Sequence, residues 1–182
     1  MISERDHKYH GKTLLLMGFL AIQMLFITGC GYRVTPGGEY IDKSIQTVFV
    51  DNLANRTSEA NIENSFRSAF IDQFIRGRRL KTVDSREAAD AIFKGSIETL
   101  LTAPLSYNKD NLAAEDRITL TMDLVLEEKG TGKIIWADKG FSATQDYTFT
   151  GIIAREGNRN AALIKLSNDS AEKAYRLMMS GF

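Results

Sequence analysis

The chain has 182 residues, enough for one domain with a substantial core. Its 23 Lys and Arg residues balance 23 Asp and Glu residues, so no overall charge attracts the protein to nucleic acid. The two histidines, His7 and His10, both precede the single cysteine, Cys30, in a segment that we expect to be removed. The remaining chain has no histidine and no second thiol, which excludes a Ser-His-Asp triad, a Cys-His pair and a His-ligated metal site, and we expect no catalytic activity and no cofactor.

The first 29 residues have the pattern of a secretory signal peptide. A basic start with Arg5, Lys8 and Lys12 precedes an apolar stretch over residues 13–27. A retained transmembrane helix is the alternative, but spanning a bilayer takes roughly 20 apolar residues. The stretch is shorter than that and contains a glutamine, so we predict a cleaved signal peptide over residues 1–29.

The residues around Cys30 resemble a bacterial lipobox, in which the cysteine thiol receives a diacylglyceryl group and becomes the new N-terminus. Lipidation accounts for a cysteine that has no partner for a disulfide, and several acyl chains hold a protein firmly on a membrane. Gly31 stands where an Asp would resemble an inner-membrane retention signal, so we expect the outer membrane. Residues 30–44 contain a Pro-Gly-Gly break, which predicts a lipidated tether before a single domain over residues 45–182.

The first half of this domain is predicted to contain a strand and a long helix. The strand covers residues 45–50, and the helix is capped by Thr57 or Ser58 and ends near Arg76. One helix face carries a mainly apolar stripe of Ile62, Phe66, Ala69, Phe70, Gln73 and Phe74. The basic cluster from Arg76 to Lys81 suits the negative end of the helix dipole, so we favour a structural role over phosphate binding for it.

The second half is predicted to be mainly strands. Residues 118–127 alternate strictly between apolar and mainly polar side chains, which is the clearest strand pattern in the chain. Weaker patterns predict strands over residues 80–83, 91–101 and 133–147, a polar loop over residues 104–116 and a closing helix over residues 155–179. The whole predicts an α+β fold with two long helices on one face of a four-stranded, or five-stranded, mixed or antiparallel sheet. The expected order is β-α-β-β-β-α, with one extra short strand as an option.

Several of these features together resemble one known family. Cys-Gly-Tyr-Arg at residues 30–33 follows the lipobox, a strand precedes the long amphipathic helix, and Ala89-Asp90-Ala91 leads into a strand. Their combined order is similar to that of the lipopolysaccharide-assembly lipoproteins, the LptE family, over nearly all of the chain after the signal peptide. The resemblance implies two helices packed on a four-stranded sheet.

The resemblance also implies a structural and binding role at the outer membrane. Proteins of this family resemble a plug inside LptD, a large outer-membrane β-barrel that inserts lipopolysaccharide into the outer leaflet. They assist assembly of the barrel and contact lipopolysaccharide. By this resemblance, the expected partners are an LptD-type barrel and lipopolysaccharide, and the lipid-anchored domain faces the periplasm or the barrel lumen.

Two basic residues match positions that the family connects with lipopolysaccharide. Lys109 precedes Asn111 in the loop that enters the strongest strand, and Arg155 opens the last helix. Lys109 has a simpler interpretation as a solvated loop residue. Arg155 is unfavourably placed relative to the helix dipole, which favours a functional reason for it. Because both residues lie at predicted element ends, we expect Lys109→Glu combined with Arg155→Glu to leave the fold intact.

Two other functions remain open from the sequence. One is a non-catalytic, periplasm-facing scaffold lipoprotein of outer-membrane assembly or envelope anchoring. The other, a more distant alternative, is an enzyme that acts on envelope carbohydrate through carboxylates. Co-purification separates the barrel plug from the scaffold, because only the plug requires one stoichiometric barrel partner.

Overall fold

The computed structural model describes residues 40–107, 109 and 113–181. The predicted signal peptide, Cys30 and residues 30–39 of the predicted tether lie outside the described residues. Within the described part, six strands and two helices follow in chain order: β1 (Thr47–Val50), β2 (Ala54–Asn55), α1 (Ile62–Gly77), β3 (Lys81–Thr82), β4 (Ala91–Tyr107), β5 (Ala113–Glu128), β6 (Ile134–Thr148) and α2 (Ile152–Ser180).

All six strands belong to one mixed sheet. Its order is β3-β1-β4-β5-β6, and β2 pairs with β4 further along the same edge as β1. β1 runs parallel to β3 and β4, whereas β4, β5 and β6 form an antiparallel meander. The predicted α+β class with two helices and a mixed sheet is confirmed, and the sheet has six strands rather than four or five. The strand predicted over residues 80–83 is present as β3, whereas β2 was not predicted, because its two residues are too few to produce a periodic pattern in the sequence.

The predicted polar loop over residues 104–116 is also wrong, because most of it forms a long hairpin. β4 continues to Tyr107, β5 starts at Ala113, and the two strands pair from Ala91 opposite Glu128 to Tyr107 opposite Ala113. The register shifts near Pro104, a residue that has no N–H to donate to a sheet. The hairpin therefore extends well beyond the short strands β1 and β2.

α1 packs its predicted stripe on the sheet. The stripe is buried as the periodicity indicated: Ile62, Phe66, Ala69, Phe70, Gln73 and Phe74. The ring of Phe93 in β4 lies 4.5 Å from Phe70 and 5.5 Å from Phe74, measured between ring centroids. The helix starts later than the predicted cap, because Thr57 bonds to the Asn55 side chain in a local turn and Asn61 has a left-handed backbone conformation.

α2 packs against both α1 and the β6 side of the sheet. Its middle contributes small, fully buried residues, Ser170, Ala171 and Ala174, which allow close approach to neighbouring elements. The ring of Tyr175 meets that of Phe74 at a centroid distance of 5.6 Å. The inward side chains of both helices and of the sheet form a single core. Among the described residues, no helix has the length and apolar character needed to cross a membrane.

Asp90, the residue before β4, is hydrogen-bonded to the start of β1. Its carboxylate accepts hydrogen bonds from the backbone N–H groups of Gln46 and Thr47 and from the Thr47 hydroxyl, at 2.8–3.0 Å. These bonds, the Gln46 N–H first among them, hold the pKa of Asp90 below its ordinary value. The ionised form of Asp90 therefore stabilises the folded state.

We expect Asp90→Asn to remove part of the pH dependence of stability. A lowered folded-state pKa adds stability that is present above the unfolded-state pKa, about 3.9, and is lost as the pH falls through the folded-state value. The stability difference between wild type and Asp90→Asn should thus be largest near neutral pH and shrink below about pH 4. Urea denaturation of residues 31–182 across this range measures it. Asp84→Asn, at an exposed turn position, is the control, and equal pH profiles for Asp90→Asn and wild type would contradict the prediction.

Candidate ligand-binding site at the hairpin end

The two basic residues predicted from the sequence lie at the same end of the sheet. Lys109 is exposed in the turn that joins β4 to β5. Arg155, in the first turn of α2, bonds to Asp116 near the start of β5. The Phe149 N–H also donates to the Ala114 carbonyl, at 3.1 Å, so the segment between β6 and α2 borders the same region. We call the end of the sheet that carries Lys109 and Arg155 the hairpin end.

Arg155 is held by a buried carboxylate. Its Nε and Nη2 donate to Oδ2 of Asp116 at 2.9 and 2.7 Å, and the Tyr147 hydroxyl donates to the same oxygen at 3.0 Å. Asp116 is fully buried, and its Oδ1 has no hydrogen-bond partner among the described residues. The guanidinium also lies 4.7 Å from the ring centroid of Phe149. Arg155 itself remains half-exposed.

The electrostatics keep the donors of this cluster protonated. The hydrogen bond to Asp116 raises the pKa of Arg155, and burial, followed by Asp116, raises the pKa of Tyr147. Both groups therefore donate to the carboxylate at neutral pH. Since Arg155 faces Asp116 directly, much of its positive charge is balanced inside the protein.

This contact changes the expectation for Arg155→Glu. The sequence analysis expected an intact fold because Arg155 lies at an element end, but Arg155 also joins the start of α2 to β5 through Asp116. Replacing Arg155 with Glu would remove the partner of a buried carboxylate and place a second carboxylate beside it. The double variant Lys109→Glu with Arg155→Glu is thus unsuited to test ligand binding in an intact fold.

Asp116 and Tyr147 were missed by the sequence reasoning, although a signal exists. The strict alternation identified from Ile118 onward extends two residues back, so Asp116 occupies the core-facing phase of β5. A polar residue in an apolar phase needs an internal partner. In the sheet, Asp116 stands directly opposite Tyr147 of β6.

Two further ion pairs lie in the same part of the molecule. Arg117 and Asp146 form a two-bond contact across β5 and β6, at 2.6 and 2.7 Å. Arg159 of α2 and Glu59, just before α1, form another, at 3.0 and 2.6 Å. Lys109, in contrast, is exposed and takes part in none of the ion pairs among the described residues of this region. It is therefore the basic side chain of the hairpin end best placed to meet an anionic ligand.

Within the basic cluster from Arg76 to Lys81, Arg79 makes contacts that hold the fold together. Arg79 donates to the backbone carbonyls of Ile41, Asp42 and Ile45, at 2.9–3.1 Å. These bonds fix the first described residues of the chain against the end of α1. The cluster also lies at the end of the sheet where β1 and β4 begin, far from Lys109.

The described chain begins at that opposite end. Tyr40 packs against Gly181, at the C-terminal end of α2: a Cβ on Gly181 would stand 2.4 Å from the Tyr40 ring. Because α2 begins at the hairpin end, Gly181 and Tyr40 mark the other end of the domain, which we call the tether end. Ile41 is already buried in the core.

Fold and site together define a small α+β domain in which one helix layer covers one face of a mixed sheet. Among solved structures, protein XCC0632 from Xanthomonas campestris matches with a TM-score of 0.53 and 6% identity, over 75% of this chain and 85% of that one. Lipoprotein B from Nitrosomonas europaea matches with a TM-score of 0.50 and 13% identity, over 75% and 84%. Such low identities show the fold alone. A comparison with curated proteins finds no match.

The sequence of the domain is more specific than its fold. The model of the LptE family, described as lipopolysaccharide-assembly, matches residues 45–178. The match covers most of the chain, and the protein therefore belongs to the LptE family. The family resemblance found in the sequence is confirmed.

Proposed function

We propose that the protein is an outer-membrane lipoprotein, anchored by lipid on Cys30, that acts as plug and assembly partner of the LptD β-barrel. In this role it assists lipopolysaccharide transport and insertion into the outer leaflet. The observation that carries the proposal is the family match across residues 45–178. The lone cysteine at the end of a signal-peptide pattern supports lipid anchoring.

The distance between the two ends of the domain supports this role. β4 has 17 residues, which at about 3.3 Å per residue separates the tether end from the hairpin end by roughly 55 Å. Residues 30–39 reach at most about 35 Å when fully extended. A domain anchored through Cys30 can therefore direct its hairpin end away from the leaflet that holds its lipid. Such an orientation suits a plug that receives lipopolysaccharide on its way to the opposite leaflet.

Co-purification tests the proposed partnership. The full-length, affinity-tagged lipoprotein is extracted from its own bacterium in mild detergent, and its partners are identified and quantified by mass spectrometry. We expect the LptD barrel in a one-to-one ratio that survives a detergent wash. Several weakly bound proteins without a stoichiometric barrel would instead support the alternative, a non-catalytic scaffold lipoprotein.

Cys30→Ser should abolish lipidation and signal-peptide cleavage. Lipid attachment requires the thiol, and the chain has no second cysteine to replace it. Metabolic labelling with a palmitate analogue, followed by gel electrophoresis, should show label only on the wild-type protein and a larger, unlabelled precursor for the variant. Equal labelling of both proteins would rule out Cys30 as the lipid site.

Lys109 is proposed to contact the phosphates of lipopolysaccharide, and Arg155 to contribute through the part of its guanidinium that Asp116 leaves exposed. Charge-assisted hydrogen bonds from Lys or Arg are the usual means of holding phosphate. Such a bond contributes about 1.5 kcal/mol or more, and 1.4 kcal/mol is a factor of ten in affinity. Lys109→Glu should therefore weaken lipopolysaccharide binding by roughly tenfold at low salt, and by less at high salt.

The measurement is the binding of fluorescent lipopolysaccharide to purified residues 31–182, with circular dichroism as the folding control. Lys43→Glu is the matched variant, because Lys43 is an exposed lysine at the tether end and its substitution makes the same change in net charge. An equal loss of binding in both variants would indicate a general charge effect and remove Lys109 from the site.

A further inference from the structure

The outer half of β4 has one edge that no described strand covers. β1 pairs with β4 through Phe93, and β2 pairs with it at Ser96 and Ile97. From Thr99 to Tyr107, the pairing described for β4 is with β5 alone. Along this length, apart from Pro104, which has no N–H, the other edge presents backbone N–H and C=O groups that can pair with a further strand.

The side chains of this edge include few of the features that normally prevent strand pairing. Residues 99–107 read TLLTAPLSY and contain no charged residue, although exposed edge strands are usually protected by charges or proline, so Pro104 and the register shift beside it limit pairing only at one point. Three large apolar side chains are exposed here: Leu101 is 64% accessible, Leu105 41% and Tyr107 61%. Exposed apolar side chains grouped on one strand are typical of an interaction surface.

The helix layer also leaves this half of β4 open. Thr102 and Pro104 are exposed, whereas Ile118 and Asp116, which stand opposite them in β5, are fully buried. At this level of the sheet the helices therefore cover β5 and leave β4 beyond Leu100 uncovered. An added strand could continue the sheet here without meeting α1 or α2.

At the other long edge of the sheet, along β6, side chains of α2 bond to backbone carbonyls of the strand. Asn158 of α2 donates to the backbone carbonyl of Thr148, and Lys173 donates to that of Ser142, both at 2.7 Å. The Lys173 ammonium also lies 5.0 Å from the ring centroid of Phe141. These α2 side chains occupy carbonyls that an added strand would need. The fold thus closes one long edge and leaves the other open.

We propose that the β4 edge from Thr99 to Tyr107 receives an extended segment of the LptD barrel polypeptide as an added strand. The occupant is a polypeptide rather than a lipid, because unpaired backbone groups are costly in hydrocarbon and only another backbone can satisfy a whole strand edge. The segment is expected to be uncharged where it faces residues 99–107, with apolar side chains against Leu101 and Leu105. This inference rests on the proposed partnership with the barrel.

Photocrosslinking in the full-length lipoprotein tests the proposal. A benzophenone amino acid replaces Leu101, and in a second strain it replaces Thr144, an exposed residue on the closed β6 edge. After irradiation of living cells, we expect Leu101 to give an adduct with LptD that maps by mass spectrometry to one contiguous extended segment. Thr144 should give no such adduct. Leu101→Lys should lower the recovery of barrel several-fold, whereas Thr144→Lys should leave it unchanged.

The outcomes separate the two proposals. If the barrel co-purifies with wild type but Leu101 crosslinks to lipid, to a second copy of this chain, to its own tether or to nothing, the strand-addition surface is wrong and the partnership stands. An unchanged barrel recovery with Leu101→Lys contradicts the surface in the same way. If the barrel does not co-purify with wild type, the proposed partnership fails and the surface assignment fails with it.

Discussion

Phe70→Ala should lower the free energy of unfolding by about 3–5 kcal/mol. Phe70 is 1% exposed, in the middle of the buried stripe of α1, and its ring packs against Phe93 at a centroid distance of 4.5 Å. The substitution removes a whole aromatic ring from the interface between α1 and the sheet. Because main chain on both sides is fixed in regular structure, the space can close only partly. The loss is a large share of a typical stability of 5–15 kcal/mol.

Urea denaturation of residues 31–182, monitored by circular dichroism, measures this loss. Ile75→Ala is the matched control on the same helix, because Ile75 is 55% exposed and surface changes usually stay within about 0.5 kcal/mol. A loss below about 1 kcal/mol for Phe70→Ala, or an equal loss for both variants, would show that α1 does not pack on the sheet through this face.

The elements that the sequence predicts well have one buried face and one solvent-exposed face. α1 was identified from a stripe that ends up buried from Ile62 to Phe74. β5 was identified from an alternation in which Ile118, Leu120, Met122, Leu124 and Leu126 are all fully buried. In both elements, burial of one face requires apolar residues at regular intervals along the sequence, and these intervals can be recognised without the structure.

The elements that the sequence predicts poorly lack such a contrast. Residues 101–107 of β4 are mainly exposed, so they show no period, and the sequence predicts a loop over residues 104–116 where the end of the hairpin lies. β2 has two residues, and its strand character arises from pairing with β4 rather than from its own side chains. These strands form because they pair with other strands in the fold, and the local sequence pattern does not indicate that pairing.

The candidate site could be predicted only in part for a related reason. The family resemblance selected Lys109 and Arg155, and the structure places both at the hairpin end. The partner of Arg155 is Asp116, 39 residues earlier in the chain. A contact of that range depends on the register between β5 and β6 and on the position of α2. The structural role of Arg155, its ion pair with Asp116, could therefore not be predicted from the residues next to it in the sequence.

Gly95→Ala should lower the free energy of unfolding by about 1–3 kcal/mol, the usual range for overpacking a core. A Cβ on Gly95 would stand 2.5 Å from the backbone oxygen of Asp123 and 2.9 Å from Cδ2 of Leu124. The oxygen belongs to β5, which is paired with β4 on one side and β6 on the other. It cannot move without disturbing both ladders. Gly95 is thus required because two backbones approach closely, and not because of its own φ angle.

Gly157→Ala is the control, since it makes the same chemical change in a different setting. Gly157 lies within α2, and a Cβ there would meet nothing within 4 Å. Alanine in a helix interior is favoured over glycine by roughly 0.5–1 kcal/mol, so Gly157→Ala should raise the free energy of unfolding. The two variants should shift the urea midpoint in opposite directions. A stability for Gly95→Ala equal to or above that of wild type would mean that β4 and β5 are not in contact at this register. In that case the assignment of one β4 edge as unpaired, which depends on the same register, would also be wrong.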